Sequence, residues 1–229
     1  MLAKLVGSRE IAPGVRHFEF EAVGVERLEF VPGQFTSFTE VIEGKKITRA
    51  YSLASAPSGT NRFELCLNRV EQGHLSPRLF AMQPGDCMEM LPPLGFFVLR
   101  QPPRDSIFIA TGTGIAPFRS MLQAHLNASS PAFTLLFGVR YESHLLYSEE
   151  LEELARAHGN FRFWPTLTRP DAAWKGRQGR VQTHLAEAFE ERRDVDFYLC
   201  GLKEMVDDVR GILKNQGFDR KQIFYEKYD

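Results

Sequence analysis

SIFIATGTGIAP, residues Ser106–Pro117, reads as an apolar strand, a glycine-rich turn and the opening of a helix in one stretch. Ile107–Ala110 has the continuous apolar character of a strand buried on both faces. Two threonines and two glycines, Thr111–Gly114, then make a tight turn with exposed amides. Pro117 suits the first helical turn, where its missing N–H costs nothing. Backbone amides at a helix N-terminus beside a strand end are a place for a pyrophosphate. The stretch is not G-x-G-x-x-G, because Pro117 occupies the last position, and a glycine turn after a strand is often only a turn. Onward from it, strand and helix patterns alternate. Helical spacing covers Pro117–Leu126, strand pattern Phe133–Val139, helix Ser148–His158 and strand Phe161–Leu167. Val181–Phe189 reads as helix, Phe197–Cys200 as strand, Lys203–Asn215 as helix and Ile223–Tyr228 as strand. That order predicts an α/β domain with a parallel five-stranded sheet and helices on both faces. Cys200-Gly201 would end a strand on the same edge as the glycine turn, where ligands of open α/β sheets bind.

Before Ser106 the pattern changes. Val15–Glu21 (VRHFEFE) alternates with period two, Arg62–Val70 is a second strand candidate, and Leu75–Met82 suits one short helix. Pro32-Gly33, Glu43-Gly44 and Pro84-Gly85-Asp86 are turn signals. Many short strands with little helix predict an antiparallel Greek-key β-barrel. RQPPRD at Arg100–Asp105 suits a linker, so the expected domains are residues 1–100 and 101–229.

Two constellations in the first half carry chemistry. Arg49-Ala50-Tyr51-Ser52 offers a guanidinium for a pyrophosphate, an aromatic face and a small hydroxyl. An exposed arginine beside a core tyrosine would read the same way. In Gly73-His74-Leu75-Ser76, the glycine admits close backbone approach and Ser76 could cap the short helix and hold a phosphate; an ordinary capped turn is the alternative. Other chemistries are excluded. The histidines, His17, His74, His125, His144, His158 and His184, lack metal-ligand spacing, so no metal is expected. Cys66, Cys87 and Cys200 cannot supply the four thiolates of a plant-type iron–sulfur cluster, and scattered cysteines suit a reducing compartment. A net charge of −1 gives no global field for nucleic acid. No apolar run approaches the roughly 18 residues of a membrane span. A soluble cytoplasmic monomer is expected.

Taken together and in this order, RAYS, GHLS, TGTGIAP, YLCG at Tyr198–Gly201 and FYEKY at Phe224–Tyr228 resemble the motifs of the ferredoxin–NADP reductase superfamily. PGQF at Pro32–Phe35 and PPLGFF at Pro92–Phe97 resemble its recurring barrel turns. The resemblance covers nearly the whole chain. It implies a six-stranded flavin barrel, bound FAD, and a second domain for NADP(H). By it, Arg49, Ala50, Tyr51, Ser52, Asn68, Val70, Gly73, Leu75 and Ser76 contact the flavin. Thr113, Gly114, Ala116, Pro117, Arg140, Cys200, Gly201 and Met205 contact the coenzyme. Tyr228 lies near the flavin ring, and Ser52, Cys200 and Glu226 serve the transfer step. Thr168-Arg169 resembles a 2′-phosphate pair, with Arg177 and Arg180 as further basic contacts; Asp171 nearby would favour a free 2′-hydroxyl. The implied activity is electron exchange between NADP(H) and a transient carrier, ferredoxin or flavodoxin. The alternatives are the reductase component of an oxygenase, a free-flavin reductase, and a non-catalytic electron-transfer subunit.

Overall fold

The computed structural model describes residues 1–228. By contacts, the chain forms two compact units. One comprises Met1–Leu99 with Ala116–Ala124, and the other Arg100–Ile115 with the chain from His125 onward.

The first unit holds β1 (Leu2–Ala12), β2 (Val15–Val23), β3 (Phe35–Ile42), β4 (Lys45–Ser52), β5 (Arg62–Asn68), α1 (Ser76–Ala81) and β6 (Cys87–Leu94). Its strands pair antiparallel in the order β4-β3-β6-β1-β2-β5. A bridge between Leu53 and Leu65 joins the two ends of that order. The alternation in β2 sends Phe18, Phe20 and Ala22 inward while Glu19 stays exposed. There they meet Leu5, Phe38, Phe63, Leu65 and Met90 in one core, with Phe20 stacked on Phe63 at 5.6 Å. Gly33, at φ +100°, passes so close to the Phe97 carbonyl that a side chain there would overlap it.

Helix α2 (Ala116–His125) follows the glycine turn, yet Ala116–Ala124 belongs to the first unit. A division at one point in the sequence misses this return. Polar bonds hold the helix there. Arg119 donates to the Ala54 carbonyl at 2.8 Å and to Glu64 Oε2 at 2.5 Å. Ser120 donates to the Ser55 carbonyl at 2.6 Å, and Gln123 accepts the Ala56 N–H at 3.0 Å. Buried His17 lies 3.8 Å from Glu64; burial lowers its pKa, with Glu64 opposing and Arg119 adding to that shift.

The second unit holds β7 (Ser106–Thr111), β8 (Phe133–Val139), α3 (Ser148–Ala157), β9 (Phe161–Leu167), β10 (Arg177–Gln178), α4 (Leu185–Phe189), β11 (Asp196–Leu202), α5 (Lys203–Asn215) and β12 (Ile223–Tyr228). All strands run parallel, in the order β10-β9-β8-β7-β11-β12. The five expected strands are joined by a sixth, the two-residue β10. The helix expected over Val181–Phe189 divides into a 3-10 turn, Val181–His184, and α4. Thr183 Oγ1 donates to the Arg180 carbonyl and His184 Nε2 lies 3.1 Å from the Gln178 carbonyl. Such local side-chain bonds compete with regular helix. Ile107, Ile109, Phe197 and Leu199 face a core shared with Val206, Val209 and Leu213 of α5. Phe108, Tyr198 and Phe224 line up on the other face, Tyr198 stacking on Phe224 at 4.6 Å. No helix among the described residues is long and apolar enough to cross a membrane.

Arg100 opens the second unit by locking onto the start of β11. Its Nε lies 3.2 Å from the buried Asp196 carboxylate, its N–H donates to Tyr198 Oη at 2.9 Å, and its Nη2 donates to the Lys221 carbonyl. Burial raises the Asp196 pKa, and the Arg100 charge opposes that shift. Arg100→Ala is expected to cost about 3 kcal/mol, because it leaves a buried carboxylate without its cation. Adding Asp196→Asn should recover much of the loss; urea midpoints of the single and double variants measure both.

Candidate functional site

Period two sorts the RAYS stretch. Arg49 pairs with Phe38 and Tyr51 with Thr36, so both side chains lie on one face of β4. Ala50 and Ser52 pair with Ser37 and Phe35 on the opposite face, and Ser52 is buried. Tyr51 meets Phe38 edge-on at 6.1 Å. Burial pushes its pKa up to about 12 against the Arg49 charge, so its hydroxyl stays a neutral donor. Exposed Arg49 bonds the neighbouring Thr48 carbonyl at 2.9 Å, and no carboxylate among the described residues forms an ion pair with it. Glu40, on the same face, holds a buried Oε2 with no hydrogen-bond partner and approaches Arg78 of α1 at 4.0 Å. A cation without a carboxylate, an aromatic ring and an unsatisfied acceptor on one face fit a ligand with phosphates, a planar ring and sugar hydroxyls. FAD has that chemistry.

The loop after β5 differs from its expected use. Ser76 does not cap α1: Leu75 occupies the N-cap position, and Ser76 Oγ accepts the Val70 N–H at 3.0 Å. The hydroxyl therefore closes its own loop. A side chain at Gly73 would meet Val70 Cβ at 3.0 Å, so part of that glycine's role is loop closure. Leu75 is buried, whereas Asn68 and Val70 are exposed.

In the second unit the glycine turn is a 3-10 turn, Gly112–Ile115, running directly into α2. A Cβ at Gly114 would overlap the Cys200 carbonyl, and one at Gly201 would overlap Thr111 Oγ1. The turn and the end of β11 thus touch backbone to backbone. Thr111 Oγ1, from the first residue of the TGTGIAP stretch, accepts the Leu202 N–H at 3.1 Å and ties these ends together. Thr113 is half-buried, and Gly114, Ala116, Pro117 and Met205 are buried.

Cys200 pairs with Glu226 across β11 and β12, and Tyr228 lies two residues further on the same face. The thiol is fully buried. Burial pushes its pKa well up, Glu226 pushes the same way, and a hydrogen bond with Tyr228 opposes them. Cys200 is therefore a neutral thiol, not a thiolate nucleophile.

The basic residues divide. Arg169, Tyr141, Glu142, Ser143, Pro170 and Asp171 line a surface cleft of about 610 Å³. Arg169 Nη1 lies 3.4 Å from Tyr141 Oη, and its backbone N–H bonds the Arg140 carbonyl. Asp171 Oδ1 accepts the N–H groups of Ala173 and Trp174, so it shapes its own turn. Arg177, expected as a further basic contact, has its guanidinium forked onto Glu187 and stacked on Trp164. Arg140, Thr168 and Arg180 are exposed and outside the cleft lining. Tyr141, Glu142 and Ser143 were not legible as site residues. Their one sequence signal was their place just past a parallel strand.

Comparison with known proteins bears on both units. Residues 2–99 match the family described as "Oxidoreductase FAD-binding domain", and residues 108–211 match "Oxidoreductase NAD-binding domain". A ferredoxin–NADP reductase B of Sorangium cellulosum is 39% identical, over 99% of this chain and 97% of the relative. The anthranilate 1,2-dioxygenase electron transfer component of Acinetobacter baylyi is 31% identical, over 89% of this chain and 60% of its own length. Among solved structures, a ferredoxin NADP+ reductase from Neisseria gonorrhoeae with bound FAD and NADP has a TM-score of 0.86 at 26% identity. That match covers 99% of this chain and 98% of the other.

The cysteine assignment makes a direct expectation. Cys87 is exposed, whereas Cys66 and Cys200 are buried. Iodoacetamide at about pH 8 should label Cys87 in the folded protein and reach Cys200 only on unfolding. Peptide mass spectrometry reads the sites, and native labelling of Cys200 at the rate of Cys87 would contradict a buried neutral thiol.

Proposed function

This chain belongs to the ferredoxin–NADP reductase superfamily of flavin oxidoreductases, and from that premise we propose that it exchanges electrons between NADPH and a ferredoxin or flavodoxin. The observation that carries the reading is one chain holding both halves of the chemistry. The Arg49–Tyr51 face in the first unit suits a flavin. The Gly114–Cys200 edge in the second suits a pyridine nucleotide.

Bound FAD supplies the conversion between a two-electron hydride and single electrons. The chain's own residues bind and orient. Arg49 meets a pyrophosphate, and Tyr51 offers its ring and a neutral hydroxyl. Ser52, at the end of β4, contributes a small hydroxyl, and Ala50 a backbone approach. Asn68, Val70, Gly73 and Leu75 shape the loop that Ser76 closes. In the second unit, the Gly112–Ile115 turn, Thr113 within it, gives amides to the coenzyme pyrophosphate, and Ala116 and Pro117 follow it along the chain as the start of α2. Cys200 stands at that edge as an enclosed, uncharged thiol held by its bond to Tyr228. Glu226 keeps a carboxylate on the same face. Gly201 and Met205 complete that edge, and Arg140 and Thr168 flank the adenosine end.

Arg169 is the residue for the 2′-phosphate, with exposed Arg180 as its second cation. The purified protein should be yellow and release FAD on denaturation, identified by chromatography. Turnover with NADPH and NADH against ferredoxin, flavodoxin and free flavin tests the carrier assignment. Reduction of free flavin alone, or of an oxygenase partner alone, would replace it.

Replacing Arg169 and Arg180 by alanine should raise KM for NADPH far more than for NADH. Each lost charge-assisted bond is expected to cost about 1.5–3 kcal/mol. Equal loss of both coenzymes, or a wild type that prefers NADH, would remove the phosphate-site assignment.

A further inference from the structure

The segment between β9 and β10 carries Arg169 at its start and returns to the sheet at Arg177. Three sets of contacts hold that return. Arg177 and Gln178 pair with Thr166 and Leu167 of β9, and the Gly179 N–H bonds the Leu167 carbonyl at 2.8 Å. The Arg177 guanidinium makes a two-point fork to Glu187 of α4, at 3.0 and 2.7 Å, and lies 3.9 Å from the centre of the Trp164 ring. Trp174 Nε1 donates to the Arg177 carbonyl at 2.9 Å, and its ring covers Gly176 so closely that a Cβ there would overlap it.

We propose that Arg177 is a positioning residue that sets coenzyme specificity by latching this loop to Trp164 and Glu187, so that Arg169 is held over its cleft. The inference rests on the reading that the Arg169 cleft takes the adenosine end of the coenzyme. The reason is geometric. Arg169 has a long, flexible side chain and one weak side-chain contact, to Tyr141 at 3.4 Å. Its backbone is fixed on one side by the bond to Arg140. On the other side the chain runs through Pro170 and the Asp171 turn to Trp174 and the latch. Unpinning Arg177 frees that far anchor. A planar guanidinium can fork to a carboxylate and stack on an indole at once, whereas an ammonium can do neither as well. Arg177→Lys therefore keeps the charge and removes the latch. A phosphate contact made through charge alone would survive that change.

The chain supplies its own reporter. Its two tryptophans, Trp164 and Trp174, are both latch residues. Intrinsic tryptophan fluorescence of the FAD-loaded protein therefore reads this loop directly. The experiment titrates adenosine 2′,5′-bisphosphate and adenosine 5′-monophosphate into wild type, Arg177→Lys, Glu187→Gln and Arg169→Ala. Glu187→Gln keeps the side-chain shape and weakens the fork, so the test stands if Arg177→Lys folds poorly. Steady-state KM and kcat for NADPH and NADH are measured on the same proteins.

Wild type should bind the bisphosphate more tightly than the monophosphate. Arg177→Lys and Glu187→Gln should each lose about tenfold of that preference, the scale of one charge-assisted hydrogen bond. KM for NADPH should rise to match, with kcat at saturation unchanged. A general loss of packing would weaken both nucleotides equally, and that outcome overturns the proposal. So does an unchanged preference in both latch variants while Arg169→Ala loses it, although the cleft reading then stands. If the bisphosphate binds wild type no better than the monophosphate, and Arg169→Ala changes neither, the cleft reading itself falls and the latch with it.

Discussion

No side chain beyond hydrogen fits at Gly114. The turn that leaves β7 folds over the end of β11 so closely that a Cβ would strike the Cys200 carbonyl. Gly201, at φ +133°, is pressed against Thr111 in the same way. Because β7 and β11 are neighbours in a parallel sheet, both strand ends reach one edge together. Two glycines let the backbones touch there, and Thr111 fastens them by accepting the Leu202 N–H. The turn amides, the Cys200 thiol and, through β12, Glu226 and Tyr228 all take their places from this contact. Larger residues at either glycine would push the strand ends apart and disperse the group.

Arginine serves four different ends in this chain, and the surroundings decide which. Arg100 answers a buried carboxylate, Asp196, at the base of β11. Arg119 joins α2 to Glu64 and the Ala54 carbonyl within the first unit. Arg177 is clamped between Glu187 and Trp164. Arg49 and Arg169 remain exposed, with only a carbonyl and a tyrosine hydroxyl beside them. Exposed guanidiniums with so little to hold them are suited to bind anions; those already forked onto carboxylates are suited to hold structure. Sequence spacing cannot separate the two groups, since Arg169, Arg177 and Arg180 all lie near one another along the chain.

Cysteine and tyrosine chemistry at the β11–β12 edge follows from burial. A thiol on an exposed strand end would ionise readily near a cation. Here the thiol is enclosed, and its nearest charge is a carboxylate. Both effects favour the neutral form, so Cys200 is held there as an uncharged thiol. Tyr51 in the other unit is kept neutral for the same reason, by enclosure.

Local pattern was enough for much of this protein. Period-two alternation in Val15–Glu21, turn signals such as Pro32-Gly33, and the strand–turn–helix reading of Ser106–Pro117 depend on residues near one another in sequence. So the antiparallel and parallel halves, the strand at Ile223–Tyr228 and the helix at Lys203–Asn215 could be read directly. Only tertiary structure decided what depends on distant partners. The two-residue β10 exists because Arg177 and Gln178 find β9. Residues Ala116–Ala124 belong with the first unit because Arg119 and Ser120 find the Ala54–Ser55 carbonyls. Ser76 closes a loop where a cap was expected, because the Val70 N–H reaches it first. Arg177, expected as a basic contact, has Glu187 and Trp164 as its partners, one ten and the other thirteen residues away in the chain. A side chain's chemistry is written in the sequence, but its availability depends on which partners the fold brings within hydrogen-bonding reach.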